Sequence, residues 1–290
     1  WDDVTVVSVH GREGKVASAL RQAGKVFVLT GSNQTAGQVC DALCREGLGK
    51  AQVWVGEHLS YPQEKLTDGT AEELAGRQFD PLAAMLITAA PTPSRSYPAI
   101  GLDDAEFLRG DEGKPIPMTK QEIRAVLLGK LGVGPEMVCW DIGAGTGSVS
   151  VELALQARAV YAVEREDDAC RLIRANRERF GAWNLRLVQG EAPGALASLP
   201  APDAVFVGGT GGRLREILRA VQAAAPGARV CVSAIALETV QTALAELEAL
   251  GYACEAVQIG ISRARRAGQR HLLLAQNPVF LVTGVRPCAK

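Results

Sequence analysis

The chain has 290 residues, 31 of them basic and 32 acidic, for a formal net charge of −1; at about 100–200 residues per domain, that length suggests two domains. A balance this even carries no overall electrostatic footprint for DNA or RNA, and 47% hydrophobic residues is too many for a disordered chain. No apolar run reaches the roughly 18 residues of a membrane span, so a soluble chain without nucleic-acid or membrane partners is expected.

Trp1 leads almost directly into Val4-Thr5-Val6-Val7, with no initiator Met, basic segment or small-residue cleavage site. No signal peptide is read there, and so abrupt a start suggests a chain cut from a longer one. Strand-like runs at 4–9, 25–29, 51–55 and 84–88 are separated by helical segments, one of them from about Asn33 to a C-capping Gly47. Pro91, Pro93, Pro98, Pro115 and Pro117 then crowd one stretch. Proline fixes φ and removes backbone donors, so 91–116 is read as a linker.

A second alternating series follows. A helix opens at Met118-Thr119-Lys120-Gln121-Glu122 and runs to about Leu131. Strands are read at 138–141, 160–164, 185–189, 204–207 and 229–233, with helices near 147–156, 167–180, 211–224 and 237–250. Two long strands, about 253–262 and 271–283, close the chain. Strand–helix alternation throughout predicts α/β architecture with parallel sheets. Seven scattered cysteines (40, 44, 139, 170, 231, 254 and 288) include no CxxC pair. That argues against a disulfide framework or a zinc site and for a reducing cytoplasm.

The strongest chemical signal is Asp141-Ile142-Gly143-Ala144-Gly145-Thr146-Gly147-Ser148. A buried strand runs through alternate glycines into a helix, whose free N–H groups face any polar ligand. Glu164 ends the next strand, at the spacing where an acid binds ribose hydroxyls. The third glycine comes one residue too early for the dinucleotide pattern G-x-G-x-x-G, so an NAD site is the poorer reading. After the strand at 204–207 comes Gly208-Gly209-Thr210-Gly211-Gly212, either a flexible loop or an open floor for a bulky anionic substrate at a helix N-terminus.

Asp-x-Gly-x-Gly-x-Gly resembles the loop of Rossmann-like S-adenosylmethionine (SAM) methyltransferases, a class whose sheet ends in an antiparallel strand pair. In that class the glycines pass the methionine part of SAM, the acid holds the ribose, and Gly190-Glu191-Ala192 matches the adenine position. The Asn/Asp-Pro-Pro-Tyr/Phe motif of amino-group methylases is absent. More specifically, the segments 117–124, 141–147, 207–212, 234–239 and 277–280 occur in order. Together they resemble the C15-methylating, decarboxylating module of the precorrin-6Y methyltransferase family of cobalamin biosynthesis, over about 117–286. The first 90 residues resemble the second lobe of the tetrapyrrole methylase fold, through Val6–Arg12, Leu29-Thr30-Gly31, Val55–Leu59 and Glu64–Thr70. The family reads Glu-Asn-Leu where this chain has Glu57-His58-Leu59. Its first lobe has no counterpart here, so half a C5-methylating site is expected.

The resemblance implies domains at 1–90 and 117–290, and SAM held by Thr119, Asp141, Gly143, Ala144, Gly145, Thr146, Gly147, Glu164, Glu191 and Ala192. Thr119 could equally be a helix N-cap boxed with Glu122. It implies methyl transfer to C15 of a corrin precursor with loss of the C12 acetate carboxyl, a reaction helped mainly by alignment. No general acid or base is identified; His10 and His58 fall in the wrong domain, and His271 reads as structural. The many carboxylates of such a substrate call for cations. Gly208, Gly209, Gly211, Gly212 and Arg213, with Arg263, Arg265 and Arg266 (near Arg270), are the candidate substrate residues, although such an arginine run can simply be solvated. Competing readings are a tRNA or protein methyltransferase and a non-catalytic SAM-binding scaffold. A homo-oligomer is expected.

Overall fold

The computed structural model describes residues 4–10, 16–88, 100–111, 113 and 115–286, the side chains of Ser18 and Gln22 excepted. Trp1, Gly11, Arg12, Pro91, Pro93, Pro98 and Cys288 lie outside them. The chain divides into two compact units, residues 1–95 and 96–290.

The first unit runs β1 (Thr5–Ser8), α1 (Val16–Ala23), β2 (Lys25–Leu29), α2 (Ala36–Arg45), β3 (Gln52–Glu57), β4 (Lys65–Thr70), α3 (Ala71–Leu74) and β5 (Ala84–Thr88). Helix α2 starts later than Asn33, where Thr35 and Gln38 form a capping box. It ends as expected: Gly47 takes φ +77°, and the Leu48 N–H closes on the Leu43 carbonyl at 2.7 Å. The described strands lie in the order β1-β2-β5-β3-β4.

Only β1 and β2 in that sheet are parallel; β5 runs antiparallel to β2 and β3, and β4 antiparallel to β3. The expectation of parallel sheets therefore fails for this unit. A parallel pairing needs a crossover of a dozen or more residues. The link between β3 and β4 is instead a short turn, in which Tyr61 and Glu64 donate to the His58 and Tyr61 carbonyls. Strand β4 went unread because its residues, LTDG among them, are largely exposed and show no buried alternation. His58 sits at φ +50° in that turn, a region where asparagine and histidine are the tolerated side chains.

The second unit runs α4 (Gln121–Leu131), β6 (Val138–Ile142), α5 (Ser148–Ala154), β7 (Ala159–Glu164), α6 (Asp167–Arg179), β8 (Leu185–Gln189), β9 (Ala204–Val207), α7 (Leu214–Ala224), β10 (Arg229–Ala234), α8 (Leu237–Ala249), β11 (Ala253–Ile259), β12 (Ser262–Ala267), β13 (Arg270–Ala275) and β14 (Val279–Val285). Seven of these strands form one sheet, ordered β11-β14-β10-β9-β6-β7-β8. Strands β6 to β10 are parallel within it, and β14 and β11 add antiparallel. The Rossmann-like expectation with a terminal antiparallel pair holds.

Alternation within the strands divides the core. From β6, Cys139 faces α4, α5 and α6, while Val138, Trp140 and Ile142 face α7 and α8. Burying each large apolar side chain contributes about 1.5–3 kcal/mol. Burial also pushes the Cys139 and Cys231 thiols up to about 12, leaving them as inert packing groups.

The terminal strands differ from expectation. Instead of two long strands at 253–262 and 271–283, β11 pairs with β14 in the sheet, and β12 pairs with β13 as a separate exposed ribbon. The breaks fall at Gly260 and at Asn277-Pro278, where proline cannot continue the ladder.

Residues 100–110 fall in the stretch expected to link domains, and here they form a strap on the second unit. Leu102 and Phe107 are buried in its core. The strap is held by buried polar groups: Glu152 accepts the Gly101 and Leu102 N–H groups at 2.8 and 3.1 Å. Fully buried Arg124 donates to Glu152 at 2.7 Å, to Asp104 at 2.8 Å, and to the Leu102 and Thr119 carbonyls at 2.5 Å. Asn176 ties the Leu108 backbone to the Thr146 carbonyl.

Candidate active site

Strand β6 leads to β7 on one side and to β9 on the other. Ligands of such sheets bind in the crevice that opens at this reversal, beyond the carboxyl ends of the strands. A cavity of about 220 Å³ lies there, lined by Gly143, Glu164, Glu191, Ala192, Gly209 and Gly211 among the expected residues, and by Arg165, Glu166 and Thr210 besides.

The glycine loop is shaped by what it lacks. Gly143, Gly145 and Gly147 have φ of +74°, +57° and +77°. A Cβ on Gly143 would stand 2.6 Å from the Gly209 backbone, so the loops after β6 and β9 approach this closely only because residue 143 is glycine. The pocket wall is thus bare backbone, suited to close approach by a ligand. Gly208, immediately before, donates its N–H to the Ile142 carbonyl at 2.9 Å.

Glu164 ends β7 with its carboxylate turned onto backbone: it accepts Gly145 N–H at 2.9 Å, Arg165 N–H at 2.8 Å and Glu166 N–H at 3.0 Å. It therefore holds the glycine loop as well as lining the cavity. Asp141, one residue from the end of β6, is fully buried. Burial pushes its carboxyl up to about 7, with the Ser150 hydrogen bond opposing and the Glu164 charge adding. Ser150 Oγ donates to its Oδ2. Asp141 Oδ1 and Thr146 Oγ1 are buried and have no hydrogen-bond partner among the described residues. Neither residue is among those that line the cavity; what fits a close-lying ligand there is the bare backbone of the glycine loop.

Thr119 is not the N-cap of α4; Lys120 is, and the α4 end is held through Asp104, which accepts the Gln121 N–H at 2.9 Å. The capping-box reading of Thr119 with Glu122 is thereby excluded. The segment just before it lies over the loop, with the Pro117 carbonyl 3.3 Å from where a Gly145 Cβ would stand. Arg213 is the N-cap residue of α7 and is bound to Glu216 at 2.6 and 3.0 Å.

The remaining arginines lie elsewhere, on the β12–β13 ribbon, and none lines the cavity. Arg263 and Arg265 stand opposite Leu274 and Leu272, so they share one ribbon face, while Arg266 stands opposite His271 on the other. Arg263 is engaged with Glu122 at 2.7 Å. His10 and His58 line a separate cavity of about 690 Å³ in the first unit, where His58 meets Asp80 at 3.4 Å. Among the described residues, no group of three His, Cys, Asp or Glu could hold a metal ion, and no helix is long and apolar enough to cross a membrane.

Residues 112–286 match the model of the precorrin methyltransferase domain. The chain belongs to the precorrin methyltransferase family. Its second unit is similar to a probable cobalt-precorrin-6B C(15)-methyltransferase (decarboxylating) of Sulfurisphaera tokodaii, 38% identical over 64% of this chain and 98% of that protein. The cobalt-precorrin-6B C(15)-methyltransferase (decarboxylating) of Salmonella typhimurium is 40% identical over 62% of this chain and 94% of that protein. Among solved structures, precorrin-6y C5,15-methyltransferase from Geobacter metallireducens aligns with a TM-score of 0.61 at 36% identity, over 66% of this chain and all of that one. A tRNA (m1A58) methyltransferase from Aquifex aeolicus (TM-score 0.52, 16% identity, 82% of this chain and 97% of that one) shares the fold alone.

Sequence reasoning missed Arg165, Glu166, Ser150 and Arg124. The first two sit in the charged run Glu164-Arg165-Glu166-Asp167-Asp168, which reads as a solvated helix start.

Proposed function

We propose that this chain is a SAM-dependent, decarboxylating methyltransferase of cobalamin biosynthesis. On this reading the second unit transfers a methyl group to C15 of precorrin-6Y, or of its cobalt-containing equivalent, and releases the C12 acetate carboxyl as carbon dioxide, giving a precorrin-8 type product. The observation that carries it is the Gly143–Gly209 backbone contact with Glu164 bound to Gly145 beside it, within a domain of the precorrin methyltransferase family.

Bound SAM supplies an activated methyl group. Gly143, Ala144, Gly145, Thr146 and Gly147 would hold its amino-acid end, with Asp141 behind them and Thr119 alongside. Glu164 would take the ribose, with Glu191 and Ala192 near the adenine. Gly208, Gly209, Gly211 and Gly212 leave a floor on which a macrocycle can lie, with Arg213 at its edge and Arg263 and Arg265, on one face of the ribbon, as further carboxylate ligands; Arg266, on the other face, is dropped from the set. The residues contribute mainly by alignment, holding methyl donor and acceptor carbon in line and excluding water; no side chain is assigned as acid or base.

For the first unit we propose the second lobe of a tetrapyrrole methylase fold, followed by the methyltransferase, to which the strap at 100–110 belongs; C5 methylation would need a first lobe as well. Leu272, Leu273 and Leu274 are exposed on a two-stranded ribbon, which alone is marginal in water. This supports a homo-oligomer in which copies cover one another's ribbons; a cytoplasmic location is proposed from the scattered, unpaired cysteines alone. Incubation with SAM and cobalt-precorrin-6B tests the main reading: methyl gain with loss of carbon dioxide by mass spectrometry supports it, and SAM left unconsumed would refute it.

A further inference from the structure

Three elements converge on one carboxylate at the mouth of the cavity. Arg165, just after β7, reaches Glu191 at 3.1 Å, and Arg213, at the start of α7, reaches the same carboxylate's other oxygen at 3.7 Å. Glu191 itself follows β8, so the ion pairs tie two segments that line the cavity, those after β7 and β8, to the start of α7.

We propose that Arg165 and Arg213 form a carboxylate-binding pair for the tetrapyrrole, filled in the substrate-free protein by the chain's own Glu191. The proposal rests on the methyltransferase reading above and assigns Arg165 a role in substrate recognition. Each guanidinium is already held by a neighbour: Arg165 Nε by Glu166 at 3.0 Å, and Arg213 by Glu216 at 2.6 Å. One side of each is thus fixed while another is offered to Glu191, so one carboxylate can replace another without moving the arginines. The replaced contact is weak, because Arg165, Arg213 and Glu191 side chains are 55%, 38% and 50% exposed and solvated ion pairs contribute little.

The surroundings suit a large anion rather than a small one. A Cβ on Gly211 would stand 3.7 Å from Arg165 Nη1, so the guanidinium borders a position of the floor that carries no side chain. The Arg165 backbone is fixed because its N–H is bound by Glu164 at 2.8 Å.

The test measures binding, so it does not depend on turnover: uroporphyrin, a polycarboxylated tetrapyrrole, by fluorescence quenching, and SAM by calorimetry, on the full chain. Arg165→Ala and Arg213→Ala should each weaken uroporphyrin binding at least tenfold and change the SAM Kd by less than twofold. Arg165→Lys should recover part of the loss. Glu191→Gln should tighten uroporphyrin binding severalfold by freeing the pair. Weaker SAM binding with uroporphyrin affinity intact would place Arg165 at the nucleoside and overturn the proposal. So would uroporphyrin binding that none of these variants alters, or no binding by the unaltered chain. Failure to turn over a precorrin substrate would count against the methyltransferase reading alone.

Discussion

The Glu164 carboxylate accepts the Gly145 N–H at 2.9 Å, so the acid ending one strand holds the loop that ends its neighbour. Hydrogen bonds to a charged group contribute about 1.5–3 kcal/mol each. Glu164→Ala removes this bond together with those to Arg165 and Glu166. SAM affinity should fall by one to two orders of magnitude in calorimetry while the circular dichroism spectrum is kept. An unchanged SAM Kd would remove Glu164 from the cofactor site.

Gly143→Ala places a Cβ 2.6 Å from the Gly209 backbone at a φ of +74°. A non-glycine residue at such a φ costs about 1–3 kcal/mol, and the steric contact adds to it. Denaturant unfolding should show that loss, and SAM binding should be abolished because both loops must separate.

Asp141 gives a pH dependence with a defined sign. Burial raises its folded-state value from 3.8 to about 7, so the folded protein keeps a proton that the unfolded chain releases. This group's contribution to stability is therefore largest below the unfolded value, declines as pH rises toward 7, and is level above it. Asp141→Asn should flatten the fall in urea midpoint over that interval. A slope equal to that of the unaltered chain would show that Asp141 does not cause it.

Arg124 and Glu152 are both fully buried and 2.7 Å apart. Arg124→Met leaves the carboxylate buried and unpaired, at a cost of about 3–5 kcal/mol. Arg124→Met with Glu152→Leu should restore part of that stability. SAM affinity should stay weakened in both, because the Thr119 carbonyl loses its anchor.

How much of this was legible beforehand depended on whether the signal was local. The glycine loop and Glu164 are separated by one strand–helix–strand unit, and backbone demands confine such a loop to glycine, so both were readable. The parallel strands β6 to β10 followed from the same alternation, whereas the antiparallel pair came with the family resemblance and the ribbon within it was not read. The sense of β4 and β5 was not readable, since it depends on link length and on where a late strand inserts. Arg124 lies within an ordinary amphipathic helix, and only packing shows that its charge is buried against Glu152. Likewise 263–270 reads as one arginine cluster, yet strand alternation sends Arg263 and Arg265 to one face and Arg266 to the other.

The central claim is methyl transfer to C15 coupled to decarboxylation at C12. Its most direct measurement is NMR of the product made from cobalt-precorrin-6B and SAM carrying an isotopically labelled methyl group. The account predicts the label on C15 and a methyl group in place of the C12 acetate. Label on a different atom, or a C12 acetate that survives methyl transfer, would contradict it.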